Sequence, residues 1–111
     1  MAIYANIPID QGSDYTSTVT VNGSGGPFDL TNYTARGQIR KTYTSLTFVS
    51  FNVTISDAPN GKIQISLPKA SSIAMKPGRY LYDIEIVNVS TGAVTRVTEG
   101  QLEINPRITQ L

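Results

Sequence analysis

Along most of this chain apolar and polar residues alternate one for one, the period of a strand that buries a single face. In the longest run Tyr80, Tyr82, Ile84 and Ile86 share one side while Asp83 and Glu85 occupy the other. Pro77-Gly78 launches that run, Ser90-Thr91-Gly92 reverses the chain, and Val94–Gly100 returns. The stretch 76–100 is therefore predicted to be a β-hairpin. Its apolar face is predicted to be the central core strand, with Ile39, Phe51, Ile63, Val97 and Leu102 converging on it.

The same period organises the rest. Ile3, Ala5 and Ile7 define a short strand ended by Pro8, a residue suited to a sheet edge or a strand end. Asp10–Asp14 reads as a turn and Tyr15–Val21 as a Thr-rich strand, while Asn22–Pro27 has too little apolar surface to order itself and is a hairpin tip or a contact loop. Tyr33, Ala35, Gly37 and Ile39 then face one way, and Thr34, Arg36, Gln38 and Arg40 the other. The small Ala35 and Gly37 would let a facing sheet approach closely.

Leu46–Ile55 reads as one long strand, and the opposite phases of Phe48 and Phe51 predict a β-bulge near Val49-Ser50. Asn60-Gly61 between two alternating runs is a strong hairpin signal, followed by Ile63, Ile65 and Leu67 on the core face. After Pro68, Lys69–Met75 has helical spacing, with Ala70, Ile73 and Met75 expected to plug one end of the core. Gln101–Ile104 is predicted as a last strand, and residues 105–111 as a tail.

Seven or eight short strands with turn signals about every ten residues predict an all-β, antiparallel immunoglobulin-like β-sandwich with one short helical turn. It would form a single domain over residues 1–111. A jelly roll or small barrel is the second choice.

Composition narrows the chemistry. Nine Lys and Arg against eight Asp and Glu give a net charge of +1, and the charged fraction of 15% is low beside the usual quarter. Such a surface has no electrostatic footprint for nucleic acid or an anionic membrane, and suits burial against partner proteins. Cysteine and histidine are both absent, which removes disulfides, thiolate nucleophiles, the usual zinc ligands and the commonest general base. No cofactor or metal is expected. The first residues lack a signal-peptide pattern and no run approaches the roughly 18 apolar residues of a membrane span, so a soluble protein made in a cytoplasm is expected.

Few constellations remain. Asp83 and Glu85, two apart on one strand face and so about 7 Å apart, have a spacing that suits a glycosidase-like carboxylate pair. A turn centred on Ser90-Thr91 sets Glu85 opposite Arg96 and Asp83 opposite Thr98, and favours an exposed cross-strand ladder instead. Asp10-x-Gly12-x-Asp14 has the outline of a calcium loop but lacks its remaining acids, so a turn is the better reading. Sequons at Asn22, Asn32, Asn52 and Asn88 are what a Ser/Thr/Asn-rich chain produces by chance. Gly23, Gly25 and Gly26 lack the Lys-Ser/Thr and helix of a phosphate cradle. Of six tyrosines, Tyr33, Tyr80 and Tyr82 fall in core phase, leaving Tyr4, Tyr15 and Tyr43 as surface candidates for stacking on a sugar or base.

The segments Met1–Asn6 with Asp10–Asp14, Asp29–Arg40, Gly61–Leu67, Pro77–Ile86 and Val94–Gly100 resemble, in the same order along nearly the whole chain, a family of small tailed-bacteriophage virion structural proteins. More loosely the chain is similar to the N-terminal sandwich of phage baseplate upper proteins. The resemblance implies a non-enzymatic assembly module of tail, neck or baseplate, found in the virion and assembled in the bacterial host cytoplasm. Its partners would be other virion proteins and further copies of itself, with no nucleic acid and no membrane. It brings no catalytic, cofactor or metal residues. The alternative within a virion is a capsid decoration (cement) protein, and the remote one is a carbohydrate-binding or glycoside-cleaving domain. Residues 1–8 and 105–111, with the Asn22–Pro27 loop, are expected to make most intermolecular contacts, because ends free of the core can add strands to a neighbour.

Overall fold

The alternation resolves into two packed sheets in the computed structural model, which describes residues 3–23 and 25–106. The strands are β1 (Ile3–Tyr4), β2 (Ile7–Asp10), β3 (Tyr15–Thr20), β4 (Asn22–Gly23), β5 (Gly26–Pro27), β6 (Tyr33–Arg40), β7 (Val49–Ser50), β8 (Asn52–Asp57) and β9 (Lys62–Leu67). A single helix, α1 (Lys69–Ala74), precedes the long hairpin β10 (Gly78–Asn88) and β11 (Val94–Asn105). The front sheet runs β1-β11-β10-β6-β7, with β2 also on β11; the back sheet runs β3-β9-β8; β4 and β5 form a small hairpin beyond β3.

Front-sheet neighbours β11-β10-β6, extended by β7, and back-sheet neighbours β3-β9-β8 reproduce the strand order of an immunoglobulin sandwich of variable type. The Tyr80 hydroxyl, near the start of β10, donates to the Lys76 carbonyl at 2.7 Å, the tyrosine corner of that fold. With no cysteine or tryptophan, the space between the sheets is filled mainly by aliphatics, with Phe51 and Tyr82 as the fully buried aromatics. Ile39, Phe51, Ile63, Ile65, Leu67, Tyr82, Ile84, Ile86, Val97 and Leu102 are all buried in one cluster, as their phase predicts. Phe51 and Tyr82 meet edge to face with centroids 6.0 Å apart. Leu30, not singled out by the alternation, is also enclosed, where its amide donates to the Ala58 carbonyl at 2.8 Å.

Several local expectations change. The segment 46–55 is not a bulged strand: β7 pairs with β6 in the front sheet, β8 pairs with β9 in the back sheet, and buried Phe51 marks the crossing between them. A change of sheet, like a bulge, inverts the phase, which is why Phe48 and Phe51 fall out of step. Gln101–Ile104 is the continuation of β11 rather than a separate strand. In α1 it is Ser72, together with Met75 just beyond the helix, that is buried; Ala70 and Ile73 are exposed. The Ser72 hydroxyl accepts the Gly12 amide and donates to the Ser13 carbonyl, both at 3.0 Å, tying the helix to the turn before β3.

The sandwich is also not wholly antiparallel. β1 and β2 run parallel to β11, in registers Ile3 with Thr98 and Ile7 with Leu102. Pro8 does not end the strand but sits inside β2, on an outer edge where no ladder amide is required of it. Residues 3–8 are thus docked on their own sheet, with Ile7 buried, rather than free of the core. Of the 105–111 stretch, Asn105 ends β11; residues 107–111, like 1–2, lie outside the described residues.

Candidate functional site

The outward face of the front sheet carries most of the polar chemistry. β6 contributes Arg36, Gln38 and Arg40, β10 contributes Leu81, Asp83 and Glu85, and β11 contributes Arg96 and Glu99. With Thr42 and Tyr43 after β6 and Tyr4 on β1, they line a groove of about 380 Å³. The period of two that buries Ile39, Ile84 and Ile86 sends these residues outward.

A bulge sets the groove's electrostatics. β10 and β11 shift register between Ile84 and Glu85, pairing Ile84 with Thr98 but Glu85 with Arg96, so Val97 is the extra residue. Val97 and Thr98 are in consequence both buried and Glu99 turns outward. Glu85 does stand opposite Arg96 as predicted, but Asp83 stands opposite Glu99, not Thr98. The ion pairs run directly across from β6 to β10, diagonally from β10 to β11, and along β11 itself. Arg36 Nε lies 3.0 Å from Glu85 Oε1, Arg96 Nε 3.2 Å from Asp83 Oδ2, and Arg96 Nη1 3.7 Å from Glu99 Oε1. Burial, aided by the charge of Glu85, raises the Asp83 carboxyl above its usual range against the pull of Arg96. Three acids and three arginines, counting Arg40, leave the groove charge-balanced.

The rim is held by Arg40. Its guanidinium donates to the Ser45 carbonyl, to Gln38 Oε1 at 3.0 Å, and sits 4.8 Å from the centre of the Phe48 ring. Thr42 and Ser45 close their own turn through the Thr42 amide and Ser45 Oγ at 3.0 Å. This turn presents Tyr43, which is 77% exposed, and Tyr4 is 64% exposed on β1. Tyr15, the third predicted surface tyrosine, packs against the core instead. On the inner side of the same sheet the Tyr82 hydroxyl donates to the Ala5 carbonyl at 2.6 Å, and burial pushes its pKa up to about 12.

The other candidates do not join this site. Asp14 Oδ1 accepts the Lys69 amide at 2.8 Å and so serves the start of α1, while the Asp10 carbonyl takes the Ser13 amide in a turn. Among the described residues no group of three acidic side chains is placed to hold a cation, and no helix is long and apolar enough to cross a membrane. Arg36 and Arg96 around Asp83 and Glu85 were reachable from strand phase, and Tyr4 and Tyr43 as tyrosines out of core phase. The Glu99 contribution was not, because it depends on the bulge.

No protein-family model and no curated protein matches the chain. Among solved structures it is similar to the NK cell receptor Nkp44, a triggering partner in natural cytotoxicity, at 12% identity and a TM-score of 0.45 over 95% of this chain and 99% of that one. It is similar also to a family 123 glycoside hydrolase from Clostridium perfringens, at 14% identity and a TM-score of 0.46, over 97% of this chain but 24% of the hydrolase. Likeness this distant carries no information on ligand or activity.

Proposed function

We propose that this protein is a non-enzymatic structural module of a bacteriophage virion, an attachment domain of the tail, neck or baseplate. The observation that carries the reading is the state of the groove's acids. Asp83 and Glu99 share Arg96, and Glu85 is held by Arg36. A surface whose acids are already held by arginines suits contact with another protein face better than proton transfer to a substrate. The phage assignment itself is supported by the resemblance of the segments quoted above.

The test is the protein's copy number in purified particles by quantitative mass spectrometry. Stoichiometry matching the tail's own components supports the reading, and stoichiometry matching the capsid lattice moves the protein to shell decoration. The Asp83→Asn/Glu85→Gln double variant should assemble and infect normally. A loss of glycoside-cleaving activity with assembly intact would overturn the non-enzymatic assignment.

One feature favours a second reading. Exposed Tyr4 and Tyr43 beside a charge-balanced floor of donors and acceptors suit a neutral saccharide, whose ring stacks on an aromatic face while its hydroxyls meet paired polar groups. Titration with neutral oligosaccharides, followed by NMR shifts at these two residues, distinguishes it from a purely protein-facing surface.

A further inference from the structure

Every open sheet edge is a row of unpaired backbone groups, and proteins guard it with proline, charge, a bulge or shortness. Among the edge strands of this sandwich, β2 carries Pro8 and Asp10, β8 has a register shift between Ile55 and Asp57, and β1 and β7 are two residues long. β3 has none of these devices. Its six residues, Tyr-Thr-Ser-Thr-Val-Thr, are uncharged and contain no proline, and they pair with β9 in unbroken register from Tyr15–Leu67 to Thr20–Lys62.

The direction of its free groups follows from one bond. The Val21 amide donates to the Gly61 carbonyl at 2.8 Å, a bond that continues the β3–β9 register and puts Val21 in phase with that ladder's mutually bonded pairs. Such pairs alternate along an antiparallel ladder. Tyr15, Ser17 and Val19 therefore turn their backbone groups toward β9, and Thr16, Thr18 and Thr20 turn theirs away. Among the described residues nothing takes up those three amides and carbonyls. The same three threonines are exposed on the outer face of the back sheet.

We propose that β3 is an association edge to which a second copy of this chain adds its own β3, antiparallel about a two-fold axis through Thr18. In that register Thr18 bonds its own counterpart, and Thr16 bonds Thr20 of the other copy twice over, which satisfies all the outward amides and carbonyls. A two-fold contact sets each side chain against its symmetry mate or that mate's neighbour, so a charged strand would meet its own charge. A neutral strand with threonine opposite threonine does not, and cross-strand Thr pairs are favourable. Two three-stranded back sheets become one sheet of six. The inference rests on strand geometry alone and stands whether or not the protein belongs to a virion.

The experiment measures association by analytical ultracentrifugation, from micromolar to about 1 mM, since a single strand pair is a small interface and gives weak binding. The unmodified protein should show a monomer–dimer equilibrium. Thr18→Pro removes only an outward amide and should abolish the dimer with the far-ultraviolet circular dichroism of the sandwich retained. Thr18→Lys and Thr18→Asp should each weaken self-association by at least about tenfold, because like charges meet on the axis, and an equimolar mixture of the two should form a heterodimer. That rescue guards against mere misfolding, which mixing would not repair. A protein that stays monomeric throughout, an open-ended series of oligomers, or a mixture no stronger than its components would overturn the proposal.

Discussion

Gly100 is the residue whose replacement should reveal most about the front sheet. Between β1 and β2 the chain passes over β11 at Ala5-Asn6, and a methyl group on Gly100 would overlap the Ala5 carbonyl oxygen and lie 2.8 Å from its carbon. Ordinary contact between carbons begins at about 3.5 Å, so in Gly100→Ala the linker must retreat by about 1 Å. Two hydrogen bonds hold Ala5 where it is, Tyr82 Oη to the Ala5 carbonyl at 2.6 Å and the Ala5 amide to the Glu99 carbonyl at 2.8 Å. A retreat of that size takes both out of bonding range. At about 1 kcal/mol each, plus the penalty of stranding a partly buried hydroxyl, the cost is about 2–4 kcal/mol. For a domain of this size that lowers Tm by roughly 8–16 °C.

Thermal and urea denaturation of Gly100→Ala, Tyr82→Phe and the double variant supply the check. Tyr82→Phe alone should cost about 0.5–1.5 kcal/mol. The double variant should fall short of the sum, because Gly100→Ala has already broken the bond that Tyr82→Phe removes. A Gly100→Ala protein as stable as the parent, or strictly additive losses, would refute the argument.

Three further outcomes are expected. Ser72→Ala should lose about 1–3 kcal/mol in urea denaturation, since it strips partners from the Gly12 amide and the Ser13 carbonyl beneath α1. Thr98→Val should gain about 1 kcal/mol, because the buried Thr98 hydroxyl finds no partner among the described residues and a methyl of the same shape needs none; a loss of stability would count against an orphan hydroxyl. Asp83→Asn should change stability at pH 7 by less than about 0.5 kcal/mol. A carboxyl whose folded pKa is raised stabilises the fold below its ordinary pKa and loses that contribution as the pH climbs through the raised value. Stability measured from acid to neutral pH should accordingly fall less in Asp83→Asn than in the parent.

What the sequence revealed was whatever depends on neighbours in the chain. Asn60-Gly61 and Ser90-Thr91-Gly92 announce their hairpins because each turn needs a left-handed residue, and Gly61 and Gly92 adopt φ of 68° and 76°. Tyr82, Ile84 and Ile86 announce a core face by phase alone. The parallel docking of β1 and β2 on β11 left no such mark, since it joins opposite ends of the chain and Ile7 alternates equally well beside any strand. Phe48 and Phe51 betrayed a phase inversion, but alternation cannot say whether the chain kinks within one sheet or leaves it for the other. The groove was half legible. Arg36, Asp83, Glu85 and Arg96 follow from strand phase, whereas Glu99 depends on a bulge at Val97 that no turn residue signals.

The parallel pairing of β1 and β2 with β11 also has a consequence for how the protein is made. Ile3 waits for Thr98 and Ile7 for Leu102, so β1 and β2 leave the ribosome long before the strand on which they dock. The hairpins β8–β9 and β10–β11 can close early on local contacts, but the front sheet cannot be completed until β11 has been made. Closing so long a loop is slow, and in that interval the outer side of β11 stays open to any passing strand. The segment around Pro8 and Asp10, poor at pairing outward in the finished sandwich, is what eventually seals it.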